Sequence, residues 1–421
     1  MSKDENDWPN WPYFDPEMLE AASAVLKSGK VNYWSGDIHH LEDGTDVRGE
    51  NGLFEYEFAN YHSSKYAIAL ANGSLALELA LLAYGIGPGD EVITTSRTFI
   101  ASASCVAIQG ALPRFADIDR ESQNLSAETI FPLMNKKTRA IIPVHLSGRA
   151  CEMDEILSLV REKEKEYGHR IYIIEDCAQA LGGEYKSRKL GTMGDAGCFS
   201  FCQDKIITTG GEGGMLILND ETAYRKAWSY KDHGKNFDRY NLELKHPLAA
   251  PERENTASSY SSVGSNWRMT EMQAALGRVA LKKLDNWNLK NRRINALYLE
   301  EALNKINGIK VYSPPKHISH AYYKQNATIT GTLKADWPRE RLINECNAKG
   351  LPCTYGSLWG ISTEDAWKKI RLENGIEEAI LANDIKIGQS NIMFQVHPTL
   401  TVEHMQATAR ILEDVMSQAI D

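Results

Sequence analysis

Residues 171–214 read IYIIEDCAQALGGEYKSRKLGTMGDAGCFSFCQDKIITTGGEGG, and the rest of the chain is read outward from them. The stretch opens on an apolar, β-branched run, Ile171 to Ile174, which reads as a buried strand ending in the carboxylate Asp176. A second short strand, Cys198 to Cys202, leads into Lys205, and the glycines Gly210, Gly211, Gly213 and Gly214 follow. Singly, an Asp after a strand is an ordinary turn former and a lone Lys an ordinary solvated charge. Together they make a pair with a chemical use. The lysine can join covalently to an aldehyde cofactor, and the carboxylate can keep a pyridine nitrogen protonated, which turns that ring into an electron sink.

Upstream of this stretch the chain alternates. YAIALAN (66–72) reads as a strand and Ser74 to Tyr84 as a helix, EVITTS (91–96) as a strand and Phe99 to Gln109 as a helix. PRFADID (113–119) and AIIPVHL (140–146) read as strands around a helix from Ala127 to Met134, and a charged amphipathic helix from Asp154 to Tyr167 precedes IYIIED. Strands alternating with helices predict an α/β fold with a mainly parallel sheet covered on both faces. Ligands of such sheets bind at the carboxyl ends of the strands, which is where Asp176 lies. Gly73 and Ser74 end one strand and open a helix, so free amides and the helix dipole favour a phosphate there; an ordinary capped turn gives the same pattern.

Composition sets the outer bounds. The chain has 421 residues, 43% of them apolar, enough for one large domain and a smaller one. A net charge of −9 without a long basic run disfavours nucleic acid as a partner. The seven cysteines are odd in number and several lie in apolar strands, so they read as reduced thiols of a cytoplasmic protein. Cys198 and Cys202 have no second close pair, and His39 and His40 no carboxylate or Cys at a ligand spacing, so no metal is expected. The N-terminus has no apolar signal core and no run reaches membrane-spanning length.

EDCAQA, GDAGCFSFCQDK and TTGGEGGML, in that order and spacing, resemble the signature of the DegT/DnrJ/StrS sugar aminotransferases, which use pyridoxal 5'-phosphate (PLP). A later segment, SVGSNWRMTEMQAALGRVALKKL, resembles the family's GxNxRMxExQAAxG motif, and its Thr270 reads as the cap of an amphipathic helix. The resemblance covers nearly the whole chain and is strongest over 66–284. It implies fold type I: a large domain with a mainly parallel seven-stranded sheet, and a smaller C-terminal α+β domain. The expected division is an N-terminal arm and helix (1–30), a PLP-binding domain (31–285) and a small domain (286–421).

The resemblance also implies roles. Lys205 stands where family members carry the lysine that binds PLP; sugar 3-dehydratases of the family carry His there, so Lys205 argues for amino transfer. Asp176 matches the partner of the pyridine nitrogen. Gly73, Ser74, Ser200 and Asn266 match phosphate contacts, with Asn266 reaching the cofactor of the neighbouring subunit of a homodimer. Here Asn72 and Ser74 replace the usual hydroxyl residues of that turn, which leaves its backbone donors intact. Phe99 matches the aromatic stacked on the cofactor ring, Ala178 is small enough to let the ring lie close, and Gln179 can donate to its phenolic oxygen. His145, Arg268 and His320 are candidate substrate groups. His145 equally suits a satisfied core histidine, and Arg268 either the cofactor or an anionic substrate.

The remaining segments read more plainly. Residues 1–15, with two Trp-Pro steps, are an arm packed by its aromatics, followed by a helix over Pro16–Leu26. Residues 30–52 read as a loop before a helix over Leu53–Tyr61, and residues 222–258 as a long surface loop. A charged helix from Asn286 to Ile306, short strands near IKVYSP and YYKQNATITG, and helices over Arg339–Lys349 and Val402–Ala419 make up the C-terminal part. The expected activity is transfer of an amino group from glutamate to a nucleotide-linked keto sugar, with a UDP-linked 4-keto-6-deoxy-N-acetylhexosamine as acceptor, for cell-surface polysaccharide (lipopolysaccharide O-antigen) or glycan precursors. The alternatives are a keto-cyclitol aminotransferase and a non-catalytic regulatory protein on the same fold.

Overall fold

The computed structural model describes residues 8–245, 259–356, 360–377 and 380–420. Seven strands form its main sheet: β1 Tyr66–Leu70, β2 Glu91–Thr95, β3 Leu112–Ala116, β4 Thr138–Ile142, β5 Tyr172–Asp176, β6 Ala196–Ser200 and β7 Gly214–Leu218. Their spatial order is β1-β7-β6-β5-β4-β2-β3. Pairing is parallel from β6 across to β3, and β7 runs antiparallel to both of its neighbours. The expected mainly parallel sheet is thus present, with one reversed strand supplied by the glycine-rich segment.

These strands are buried on both faces, which is why they read as continuous apolar runs. Alternate side chains serve two cores. Ile141, Ile173 and Phe199 join a core with Phe54, Phe58 and Leu284. Ile142, Ile174 and Leu216 join a second with Leu77, Leu81 and Trp228 on the opposite face.

Helices cover the two faces and are well punctuated. In α1 (Pro16–Ser28), Asp15 accepts from Met18 N at 3.0 Å and Pro16 opens the first turn. Helix α2 spans Gly49–His62 and α3 spans Gly73–Ala83; Asn72, not Ser74, caps α3, accepting from Leu75 N at 3.0 Å. Helix α4 (Ala101–Ile108) follows β2, and α5 (Met153–Tyr167) precedes β5. Two loop expectations are corrected. Residues 30–52 contain a hairpin, Ile38–His40 with Asp46–Arg48, and α2 already begins at Gly49. The expected loop over 222–258 contains α6 (Glu221–Lys231) and α7 (Phe237–Lys245), held by Trp228 packing edge-to-face on Phe237 and at a tilt on Tyr240; its remainder, 246–258, lies outside the described residues. Aromatic anchoring outweighed the polar composition there. Helix α8 (Glu271–Lys282) starts with a reciprocal cap between Thr270 and Gln273, as its sequence predicts.

The C-terminal part builds a separate four-stranded sheet from β8 Ile309–Lys310, β9 Gln325–Ile329, β10 Cys353–Thr354 and β11 Asn391–Phe394, in the order β8-β9-β11-β10. The chain enters it through α9 (Lys290–Leu303), which continues a wider π-helical turn over Leu284–Leu289. Leu299, Leu342, Phe394, Leu412 and Val415 form its own core beneath α10 (Arg339–Ala348) and α11 (Val402–Ala419). The N-terminal arm bridges both parts through its aromatics. Trp8 packs on His404, Trp11 stacks on His397 at 5.8 Å, and Trp11 Nε1 donates to the Lys205 carbonyl at 3.1 Å. No described helix is long and apolar enough to cross a membrane.

Candidate active site

The sheet brings several of the expected residues to one edge. Asp176 ends β5 and pairs in register with Cys198 of the adjacent parallel strand, so Ser200 lies just beyond it at the end of β6. Ser200 pairs with Gly214, and Gly214 pairs with Leu70 at the end of β1. Gly73 follows three residues later. A Cβ placed on Gly73 falls 2.6 Å from the Ser200 Cβ, so helix α3 starts directly against Ser200. The amides of Gly73 and Ser74 open the helix and have no intrahelical acceptor. The result is a concave strand-to-helix turn with free backbone donors and a hydroxyl beside it.

Asp176 is only 4% exposed. Its Oδ2 accepts from Ser102 Oγ at 2.7 Å, and its Oδ1 from the amide of Ala178 at 3.0 Å. Ser102, in the first turn of α4, also lies 2.9 Å from the hydroxyl of Thr98. Sequence reading did not single out Ser102; a Ser in a helix of ASASCVAI gives no signal of whom it faces until α4 docks against β5.

Lys205 is half-buried in the loop after β6. Its Nζ forms no hydrogen bond or ion pair among the described residues and lies 4.8 Å from the centre of the Tyr323 ring. The nearest acid in sequence, Asp204, is occupied elsewhere: it accepts from the Tyr323 hydroxyl and lies 3.7 Å from Lys324. Burial raises the Asp204 pKa, but the Tyr323 hydrogen bond and the charges of Lys205 and Lys324 outweigh it and hold the carboxyl below its ordinary value. Tyr323 was not legible as a site residue; it lies in the HAYYKQ run just before β9 and reaches Lys205 only through tertiary packing.

Phe99 is 70% exposed, an open aromatic face two residues before α4. Gln179 accepts at Oε1 from the backbone amide of Ser147 at 2.7 Å, which turns its NH2 away from that turn. Asn266 is exposed and pairs by backbone with Asp232, while Arg268 bridges to Leu70, at the end of β1.

The three substrate candidates are not gathered with Lys205. His145 is fully buried: its Nδ1 accepts from Cys151 N at 3.1 Å and its Nε2 donates to Glu175 at 3.0 Å, so it is a satisfied core histidine. Arg268 is committed to Asp232, a nearly buried carboxylate that also receives the Tyr33 hydroxyl and Lys235, and its guanidinium lies 5.4 Å from the Trp34 ring centre. His320 stacks on Tyr322 at 4.1 Å and accepts from its amide; burial and the nearby Arg149 and Arg293 push its pKa down to about 3. The cavity it lines is walled by Glu121, Arg149, Glu300 and Gln325, and by neither Asp176 nor Lys205. His145 and Arg268 met partners from other segments of the fold, while His320 is held by its sequence neighbour Tyr322.

Among the described residues one trio has metal-ligand spacing, His145, Glu175 and Cys177. Glu175 already accepts from His145 and from the amides of Gly191, Met193 and Gly194, and burial pushes the Cys177 thiol up to about 12, so the trio is a closed hydrogen-bonded cluster.

With this geometry in place, the comparisons are specific. The sequence model of the DegT/DnrJ/EryC1/StrS aminotransferase family matches residues 40–413, and the chain belongs to that family. It is similar to the GDP-perosamine synthase of Caulobacter vibrioides, 37% identical over 300 residues, covering 71% of this chain and 73% of that one. The spore coat polysaccharide biosynthesis protein SpsC of Bacillus subtilis is 36% identical over 411 residues, covering 97% of this chain and 96% of that protein. The solved aminotransferase from Psychrobacter cryohalolentis superposes with a TM-score of 0.87 at 40% identity, covering 98% of this chain and 99% of that one. The chain is a PLP-dependent aminotransferase of fold type I. The residues present fit that cofactor: an amine without a hydrogen-bond partner among the described residues, a buried carboxylate at a strand end, and a helix-opening turn with no room for a Cβ at residue 73.

Proposed function

We propose that this enzyme moves an amino group from glutamate to a nucleotide-linked keto sugar, a UDP-linked 4-keto-6-deoxy-N-acetylhexosamine, and that it works in the cytoplasm as a homodimer whose active sites are shared. The observation that carries the catalytic part is the unpartnered Lys205 amine beside the sheet edge where Asp176, Ser200 and Gly73 converge. A nucleotide-linked sugar is supported by the names of similar proteins, one a synthase of a GDP-linked sugar and one a polysaccharide biosynthesis protein; the UDP carrier and the N-acetyl group rest on the sequence resemblance alone.

PLP, when bound, supplies an aldehyde that carries the amino group and a ring that accepts the electron pair left by proton removal. The protein's part is division of labour. Lys205 anchors the cofactor covalently at rest and, once released by an incoming amine, takes and returns the proton at the carbon that bears nitrogen. Asp176 would hold the proton on the cofactor's ring nitrogen; the Ser102 hydroxyl and the Ala178 amide fix its carboxylate. Gly73, Ser74 and Ser200, with Asn266 from the neighbouring subunit, hold the phosphate so that the reacting atoms stay aligned while partners exchange. Phe99 and Ala178 would hold the ring, and Gln179 would donate to its phenolic oxygen.

The test is the visible absorption of the PLP-loaded protein before and after glutamate. A band near the visible that moves to the near-ultraviolet with glutamate, and returns with the right keto sugar, is the expected result; UDP- and GDP-linked keto sugars and a keto-inositol form the acceptor panel. Lys205→Ala is expected to abolish both the band and turnover. Full activity in that variant overturns the mechanism.

A further inference from the structure

A chain of hydrogen bonds runs from the core of the large domain, through the small-domain sheet, to Gln179. Arg97 begins it. Its guanidinium is 1% exposed and can only donate, and its Nε donates to Gln123 Oε1 at 2.8 Å. That leaves the Gln123 NH2 to donate to Asn391 Oδ1 at 2.9 Å. The Asn391 NH2 donates to Asn326 Oδ1 at 3.2 Å, and the Asn326 NH2 to Ser147 Oγ at 2.7 Å. The Ser147 amide, which can only donate, ends the series on Gln179 Oε1 at 2.7 Å. The obligate donor Arg97 fixes the sense of the amides from Gln123 to Asn326, because a flip would set donor against donor or acceptor against acceptor, and the Ser147 amide separately fixes that of Gln179.

The chain also holds backbone that is costly on its own. Ser147 has φ 55° and Gln123 φ 61°, left-handed conformations that non-glycine residues adopt rarely and at a cost. Asn124 holds the two ends of the Ser147 turn, accepting from Leu146 N at 3.0 Å and donating to Arg149 O at 2.8 Å. At its centre Tyr323 N donates to Ser147 O at 2.9 Å and Ala321 N to Gly148 O at 3.0 Å, and both of these come from the segment that leads into β9 and carries Asn326. The same Tyr323 packs on Lys205.

Resting on the reading of Gln179 as donor to the cofactor's phenolic oxygen, we infer that Asn326, Asn391 and Gln123 are positioning residues: they lock the strained Ser147 turn so that the Gln179 NH2 is aimed at that oxygen. The small-domain sheet thereby sets the electronics of a cofactor contact that belongs to the large domain. None of the three touches the cofactor; they act through Ser147 and Gln179.

The experiment is a spectroscopic pH titration of the PLP-loaded protein, following the proton on the lysine–cofactor linkage. A donor to the phenolic oxygen stabilises its negative charge, which is greatest once that proton has left, so losing the donor raises the midpoint. Gln179→Ala is expected to raise it by about half a pH unit, the effect of one lost hydrogen bond. Asn326→Ala is expected to move it in the same direction, and Gln179→Ala with Asn326→Ala together no further than Gln179→Ala alone. Gln123→Glu is a second probe: it keeps the shape and the Arg97 contact but cannot donate to Asn391, and is expected to raise the midpoint too. If Gln179→Ala shifts the midpoint while Asn326→Ala and Gln123→Glu leave it in place, the positioning chain is refuted and the Gln179 reading stands. Additive shifts in the double variant also overturn the chain, since Asn326 then acts elsewhere. A midpoint unmoved by Gln179→Ala overturns the Gln179 reading and the inference with it.

Discussion

Gly73 and Ser200 are in contact with no space between them: a Cβ on residue 73 would stand 2.6 Å from the Cβ of residue 200. One residue opens α3, the other ends β6, and their closeness shapes the turn assigned to the phosphate. Gly73→Ala is therefore expected to lower the stability of the cofactor-free protein by about 1–3 kcal/mol, the cost of overpacking, and to weaken PLP retention. Thermal melts with and without PLP measure both. The double variant with Ser200→Gly is expected to recover the stability, and a melt unchanged in Gly73→Ala alone speaks against the close packing.

Asp176 is buried and held by two donors, so its replacement tests charge rather than fold. Asp176→Asn is expected to retain PLP yet slow transamination on the order of 10²-fold, because an amide cannot hold the ring proton electrostatically. Ser102→Ala removes one hydrogen bond to that carboxylate and is expected to cost about tenfold, in keeping with a bond to a charged group. Single-turnover rates with glutamate separate these outcomes from product release. A near-normal rate in Asp176→Asn contradicts its assignment.

Asn266 is exposed in the single chain, so its side chain contributes little to folding. Asn266→Ala is expected to leave the melting of the cofactor-free protein unchanged within about 0.5 kcal/mol while speeding PLP loss on dialysis. Mixed dimers of Asn266→Ala with Lys205→Ala give the sharper result. If the contact crosses between subunits, such dimers keep one intact site beside one that lacks both residues; if it is made within one chain, one site keeps Lys205 without Asn266, the other keeps Asn266 without Lys205, and no site is intact.

His62 is buried among Phe58 and Phe199, with its Nε2 unpartnered, and burial pushes its pKa down to about 3. Because the unfolded chain binds this proton near the ordinary histidine value while the native state refuses it, stability is full above about pH 6.5 and falls as pH drops toward 3. His62→Phe is expected to flatten that acid slope. Urea melts at several pH values compare the two proteins, and parallel slopes would discount His62 as the source.

Much of the chain was legible because its elements are local events. Buried parallel strands have to be apolar throughout, so β1, β2, β4 and β5 stood out as runs, and the Thr270 cap announced α8. The expected helix over Val402–Ala419 matches α11 at both ends. Reading failed where packing overrode composition. Polar residues 222–245 are helical because Trp228 gives them something to fold on, and the hairpin at 38–48 exists through pairing that has no strong apolar alternation.

For the site, the sequence by itself determined the family and put forward Lys205, Asp176 and the Gly73 turn as the groups to carry its chemistry, since motif order and strand ends are properties of a linear chain. Which groups are free to act was decided only by tertiary structure. His145, Arg268 and His320 looked equally available in the sequence, yet each is engaged in the fold: His145 by Glu175, 30 positions on, and by the nearby Cys151 amide, Arg268 by Asp232, and His320 by its own neighbour Tyr322 near Arg149 and Arg293. Lys205 stayed unpaired because Asp204 was drawn to Tyr323, 119 positions away. A residue's chemistry is carried by its side chain, but its availability depends on competition among neighbours, and those neighbours are set by the packing of elements far apart in the chain.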